Sequence, residues 1–334
     1  MDLNPANLLW ASAFVAAGLV VLAGGGEILV RGAVNASRLL RVSPVVIGLT
    51  VVAFATSLPE LAVSLLAAFR GSPDVAIGNV VGSNLFNIAV IIGVSALLFP
   101  PLLFRSPKIR FDIGVMIAAA AAVIIGGWNE KFGRPEGIVL LALLAVFLWI
   151  RIRDARGARG EELESDARAI IEAHGSKSRG IAVSIVLVFA GAGLLTLGAD
   201  ILVRGAIFIA RERGISERVI AVTLVSAGTG LPELVTAIVA GIRRHSSVAI
   251  GNVIGSNIFN VFGILGTVAM VHPPIEANQR LIQEDAFWMM GVSLFLLLPV
   301  LKRGRNLSRL EGSILLAAYA GYLVWLIRTA GAGA

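Results

Sequence analysis

The segment VAIGNVVGSNLFN at 75–87 returns as VAIGNVIGSNIFN at 248–260, identical at 11 of 13 positions. The same offset of 173 residues carries EILVRGA (27–33) onto DILVRGA (200–206) and LPEL (58–61) onto LPEL (231–234) without a gap. So regular a repeat means two copies of one structural unit, and it has to be recognised before any local motif is interpreted. Both copies are overwhelmingly apolar, in a chain that is 57% hydrophobic and 15% charged.

Apolar stretches recur near 8–30, 43–69, 75–103, 112–128, 137–150, 181–203, 215–242, 247–271, 285–301 and 310–327. Nearly all are long enough to cross a hydrocarbon core of about 30 Å. The expected fold is therefore all-α: a polytopic membrane protein with ten transmembrane helices in two five-helix repeats. Five is odd, so the second copy enters the bilayer from the opposite side. Inverted repeats of this kind are the architecture of secondary transporters, whose sites lie near the midplane where the halves meet. The expected organisation is a first repeat over 1–150, a linker over 151–180 and a second repeat over 181–334. Within the linker, EELESDARAIIEAHG suggests a short surface helix or, more plainly, a solvated connector, and it is too short for a folded regulatory domain.

The stretch MDLNPAN has no basic n-region, so the first helix is expected to be a retained span. Cysteine is absent, which excludes disulfides and thiolate metal sites. The net charge of +7 does not imply nucleic acid, because the basic residues gather in loops beside a lipid bilayer. In the ten-helix layout, 19 of the 28 Lys and Arg fall on the side that carries 31–41, 105–110, 151–179, 243–244 and 302–309. That side is expected to be cytoplasmic, with both termini outside a prokaryotic plasma membrane. The four arginines of 204–218 run against the bias.

Within the greasiest segments stand two acids, Glu60 and Glu233, each following a proline. The next basic residues on the C-terminal side, Arg70 and Arg243, are ten positions on, or about 15 Å along a helix. A carboxylate at this depth costs about 2.5–3.5 kcal/mol on insertion scales, and such residues usually mark ion or proton paths. A bland alternative keeps each Glu protonated and hydrogen-bonded to a neighbouring helix; symmetric recurrence beside proline speaks against it. Pro59 and Pro232 cannot donate to the carbonyls of Ala55 and Gly228, so each helix kinks and frees backbone oxygen near its acid. Thr56 and Thr229, four residues before the acids, share their helix face.

In GNVVGSNLFN and its copy, the pairs Gly78/Gly82 and Gly251/Gly255 are accounted for by close helix packing. Ser83, Asn87, Ser256 and Asn260 are not, since buried polar groups require partners. Carboxylates, hydroxyls, amides and freed carbonyls suit Ca²⁺ or Na⁺, not Zn²⁺ or Cu⁺. His174, His245 and His272 read as ordinary surface residues. Glu27/Arg31 and Asp200/Arg204 read as i, i+4 pairs at helix ends.

The doubled PEL and GNV-x-GSN-x-FN, over 43–93 and 216–266, resemble the alpha repeats of the cation/calcium exchanger superfamily, most closely its prokaryotic sodium/calcium exchangers. The resemblance implies Glu60 and Glu233 as central ligands shared by Ca²⁺ and Na⁺, the transported ions, with oxygens from Thr56, Ser57 and Thr229. It further implies Ser83, Asn87, Ser256 and Asn260 on the third and eighth helices, and the carbonyls of Ala53 and Ser226 beside flanking sodium sites. The first and sixth helices of the family slide across the other eight. Proton-coupled relatives resemble GN-x-x-E, where this chain has Gly82 and Gly255; potassium-dependent ones carry Asp where it has Asn260. Two departures are Gly230, usually Ser, and Ser226, usually Ala.

These readings imply an electrogenic Na⁺/Ca²⁺ antiporter whose partners are inorganic cations and the bilayer, for which a monomer suffices. The rivals are proton-coupled or Mg²⁺ exchange in the same fold, and a passive channel or scaffold. An enzyme is disfavoured, since no GxxxxGK[ST] or HExxH segment occurs.

Overall fold

The computed structural model describes residues 7–99, 107–129, 131–155, 170–214, 226–276, 279, 281–301 and 306–331. Helix α1 spans Leu8–Leu40, followed by α2 (Pro44–Thr56), α3 (Leu58–Phe69), α4 (Val75–Leu98), α5 (Pro107–Gly126) and α6 (Arg134–Ala155). The second half holds α7 (Lys177–Glu212), α8 (Ser226–Thr229), α9 (Leu231–Ile242), α10 (Ser246–Val271), α11 (Leu281–Pro299) and α12 (Arg309–Gly331). Adding 173 takes α3 onto α9 residue for residue. The loops after α5 and α10 meet in a two-stranded antiparallel ribbon, β1 (Lys131–Phe132) with β2 (Ile275–Glu276).

Among the described residues, eight helices are long and apolar enough to cross a membrane, and the bent pair α2–α3 makes a ninth. The expected span at 215–242 is represented by α8 and the 12-residue α9; its first part, 215–225, lies outside the described residues, as does 156–169 of the linker. Large apolar side chains stand exposed along the outer helices, among them Val20, Ile125, Ile138 and Trp149. A soluble protein would bury such surface; an integral membrane protein turns it to lipid. The most buried long helices are α4 and α10, which form the centre.

Helices α1 and α7 run well past the expected 8–30 and 181–203. Asn7 caps α1, its side chain accepting from the Trp10 N–H, and Arg41 ends it in a left-handed conformation. At about 1.5 Å per residue, 33 residues reach about 50 Å, so polar turns continue beyond the apolar stretch. The two helices cross at their backbones. A Cβ on Gly25 would lie 2.8 Å from the Leu195 nitrogen, one on Gly18 2.7 Å from that of Leu202, and one on Gly32 2.9 Å from that of Val188. Numbers rise along α1 as they fall along α7, so equivalent helices of the two halves are antiparallel, as inversion requires.

Two ion pairs differ from expectation. Glu27 bridges to Arg243, not to Arg31, with Nη2–Oε1 and Nε–Oε2 both 2.8 Å. The Asp200–Arg204 pair forms as expected at 2.8 Å. Arg151, expected in the linker, lies on α6 and is 1% exposed against Asp112 of α5. Its Nη2 donates to Asp112 Oδ2 at 3.1 Å, whereas Nε lies 3.0 Å from Oδ1 but off the hydrogen-bonding line.

Candidate cation site

The chain breaks where the prolines require it. Between α2 and α3 the axis bends by 42° at Ser57, because Pro59 has no N–H to continue the helical ladder. Gly230 interrupts the second half equivalently, between α8 and α9. Glu60 and Glu233 therefore sit in the first turns of α3 and α9, where the N-terminal dipole favours negative charge. Both are buried, 2% and 1% exposed.

Around them the two halves interlock. The acids are close enough for their charges to interact. Thr56 reaches across to the second half, its Oγ1 3.2 Å from Asn252 Oδ1. Asn79 Nδ2 donates to the Glu60 carbonyl (3.1 Å) and to Ser64 Oγ (3.0 Å), fixing the start of α3. Across the interface, Asn84 Nδ2 donates to the Asn257 carbonyl (3.1 Å) and Asn260 Nδ2 donates to Asn84 Oδ1 (3.0 Å). Helix α10 approaches α2 through glycines: a Cβ on Gly255 would lie 2.6 Å from the Leu49 carbonyl oxygen. Both central helices pass into π-helical turns at this level, Asn87–Ile92 and Phe259–Leu265, a distortion frequent at functional sites.

Eight buried polar atoms of this region have no hydrogen-bond partner: Ser57 Oγ, Glu60 Oε2, Asn87 Oδ1, Asn252 Nδ2, Glu233 Oε2, Ser256 Oγ, Asn257 Oδ1 and Asn260 Oδ1. Native interiors rarely leave such groups unpaired. Seven are oxygens, and no Lys or Arg among the described residues reaches either carboxylate. Among those residues no cluster of three or more His, Cys, Asp or Glu occurs, so the donor set consists of two carboxylates amid neutral oxygens. That chemistry fits a hard cation.

Of the residues singled out from sequence, Thr56, Ser57, Glu60, Ser83, Asn87, Glu233, Ser256 and Asn260 are buried. The Ala53 carbonyl already accepts from the Ser57 N–H at 3.0 Å and from Thr56 Oγ1 at 3.4 Å. Thr229 lines a cavity of about 250 Å³ together with Pro59, Val63, Asp200 and Pro232. Ser226 begins α8, and its side chain is outside the description. Sequence reasoning missed Asn79, Asn84, Asn252 and Asn257, although each recurs at the 173 offset within apolar surroundings, the signal that singled out Ser83 and Asn87.

Fold and site define a helical membrane protein whose two equivalent halves meet around an oxygen-lined polar centre. A family model described as sodium/calcium exchanger protein matches residues 10–153 and 183–328, and the chain belongs to that family. The putative antiporter CaxA of Alkalimonas amylolytica is 35% identical over 318 residues, 94% of this chain and 98% of its own. The sodium/calcium exchanger MaX1 of Methanosarcina acetivorans is 32% identical, with 92% and 96% covered. Among solved structures, the sodium-calcium exchanger NCX_Mj soaked with 2.5 mM Na⁺ and 0.1 mM Ca²⁺ matches with a TM-score of 0.77 at 29% identity, over 94% of this chain and 97% of that one.

Proposed function

We propose that this protein is an antiporter that exchanges Na⁺ for Ca²⁺ by alternating access, with Glu60 and Glu233 as the central ligands. The observation that carries the reading is the group of unpartnered buried oxygens around two acids that no basic side chain among the described residues neutralises. Two ionised glutamates give the site a charge of about −2, which one Ca²⁺ or two Na⁺ offsets. Such carboxylates are tolerable at membrane depth only with a compensating charge. Ser57, Thr56, Thr229, Ser83, Asn87, Ser256 and Asn260, with the Ala53 and Ser226 carbonyls, complete the coordination.

This reading assigns the chain ten spans in two inverted repeats, with the connection between the end of α6 and the start of α7 cytoplasmic and both termini outside. The cavity beside Asp200 then opens outward. With three Na⁺ per Ca²⁺ one net charge crosses in each cycle, worth about 2.3 kcal/mol per 100 mV, so a negative interior drives Na⁺ in and Ca²⁺ out.

The test is radiolabelled Ca²⁺ uptake into proteoliposomes loaded with Na⁺. Uptake is expected under an outward Na⁺ gradient and not under a pH gradient in sodium-free vesicles. Uptake driven by the pH gradient alone would overturn the sodium coupling.

A further inference from the structure

We propose that Glu27–Arg243 is one half of an exchangeable latch whose other half, Asp200–Arg70, forms when the site opens to the opposite side; this rests on the alternating-access reading above. All four residues are related by the repeat, 27 onto 200 and 70 onto 243. In the structure the two sides differ. Glu27 on α1 and Arg243 at the end of α9 make a two-point pair, both contacts 2.8 Å. Asp200 instead pairs on its own helix with Arg204 at 2.8 Å.

Packing follows the same asymmetry. Next to Glu27, α1 is seated on α9: a Cβ on Gly26 would lie 3.0 Å from Val239 and 3.2 Å from Val235. The equivalent of Gly26 is Ala199, and there a cavity of about 250 Å³ separates α7 from α3. The lining of that cavity includes Asp200 as well as Pro59 and Pro232. It thus joins the unbridged side to the helix breaks beside both acids. The bridged side also has a cavity, of about 450 Å³ beside Glu27 and Arg243, but neither Pro59 nor Pro232 lines it; on the unbridged side both prolines do.

In an inverted repeat, the second state follows when the halves exchange conformations. Asp200 then pairs with Arg70, and Glu27 returns to Arg31, four residues on, as Asp200 now turns to Arg204. The bridge exists in only one state on each side, so it biases which way the site opens. Both Glu27 and Arg243 are half-exposed, 43% and 57%. Pairs of this kind move an equilibrium by at most about fivefold, a bias that a transport cycle can still reverse.

The chain has no cysteine, so Thr196→Cys places a single thiol in the cavity lining, and its modification rate in the purified protein reports opening on the Asp200 side. Arg243→Gln is expected to slow labelling by up to about fivefold, Arg243→Lys to label close to the parent, and Arg70→Gln not to slow it. Glu27→Gln breaks the same bridge and must shift the rate in the same direction as Arg243→Gln. Equal slowing in Arg70→Gln and Arg243→Gln, or an unchanged rate in both Arg243→Gln and Glu27→Gln, would overturn the latch. Labelling needs no ion gradient. A protein that labels as expected but exchanges no ions would sink the transport reading and leave the latch standing, and intact exchange with indifferent labelling would do the reverse.

Discussion

Gly230 occupies the position equivalent to Ser57, yet the two environments are not alike. Ser57 Oγ is buried and unpartnered, whereas a Cβ on Gly230 would lie 2.4 Å from the Phe86 ring, which is itself held edge-on against Tyr319 with centroids 5.8 Å apart. The hydroxyl missing from the second half is thus replaced by an aromatic ring, and the site is asymmetric at its flank. Gly230→Ser is expected to destabilise the protein by about 1–3 kcal/mol through overpacking, with Phe86→Leu in the same chain relieving it; thermal unfolding reads both, and an unshifted midpoint in Gly230→Ser would contradict the packing. If Ser226 supplies the displaced hydroxyl, Ser226→Ala lowers the Hill coefficient for Na⁺, and an unchanged coefficient counts against it. The departure at Gly230 was readable in the sequence. Its cause was not, because Phe86 lies on a different helix 144 positions away.

Helix contacts show where periodicity succeeds and where it stops. The small-residue pattern correctly anticipated a close approach at Gly251 and Gly255, which abut α2 near Leu49; the equivalent partner segment of Gly78 and Gly82 falls at 218–226, almost wholly outside the described residues. The break at Ser57 was anticipated from Pro59, since a missing N–H is a local property. The Glu27 and Arg151 pairings escaped because local spacing favours i, i+4 neighbours, while tertiary packing brought Arg243 and Asp112 nearer. Asp112→Ala would leave Arg151 buried without its main counter-charge, at an expected cost of about 3–5 kcal/mol. Replacing both together, Asp112→Leu with Arg151→Met, is expected to recover most of that loss. A double variant as unstable as the single one in chemical unfolding would contradict this account.

At the scale of the molecule, apolar helices surround a polar centre to which residues of both sequence repeats contribute, the arrangement that the proposed inverted repeat accounts for. The 173-residue offset made the repeat and the paired acids legible, because symmetry turns each weak local signal into a doubled one. The asparagine network across the interface was not, since no offset states which side chains of different copies meet. Electrogenic exchange predicts that an imposed inside-negative potential accelerates Na⁺-coupled Ca²⁺ efflux from proteoliposomes; a rate indifferent to potential would require an electroneutral ratio. The account depends above all on cations neutralising Glu60 and Glu233, which Ca²⁺-dependent thermal unfolding of the purified protein reads without any transport. Ca²⁺ at a hundred times its dissociation constant should stabilise the parent by about 2.7 kcal/mol, and Glu60→Gln with Glu233→Gln should abolish the shift. An equal Ca²⁺-dependent rise in the doubly substituted protein would contradict the account.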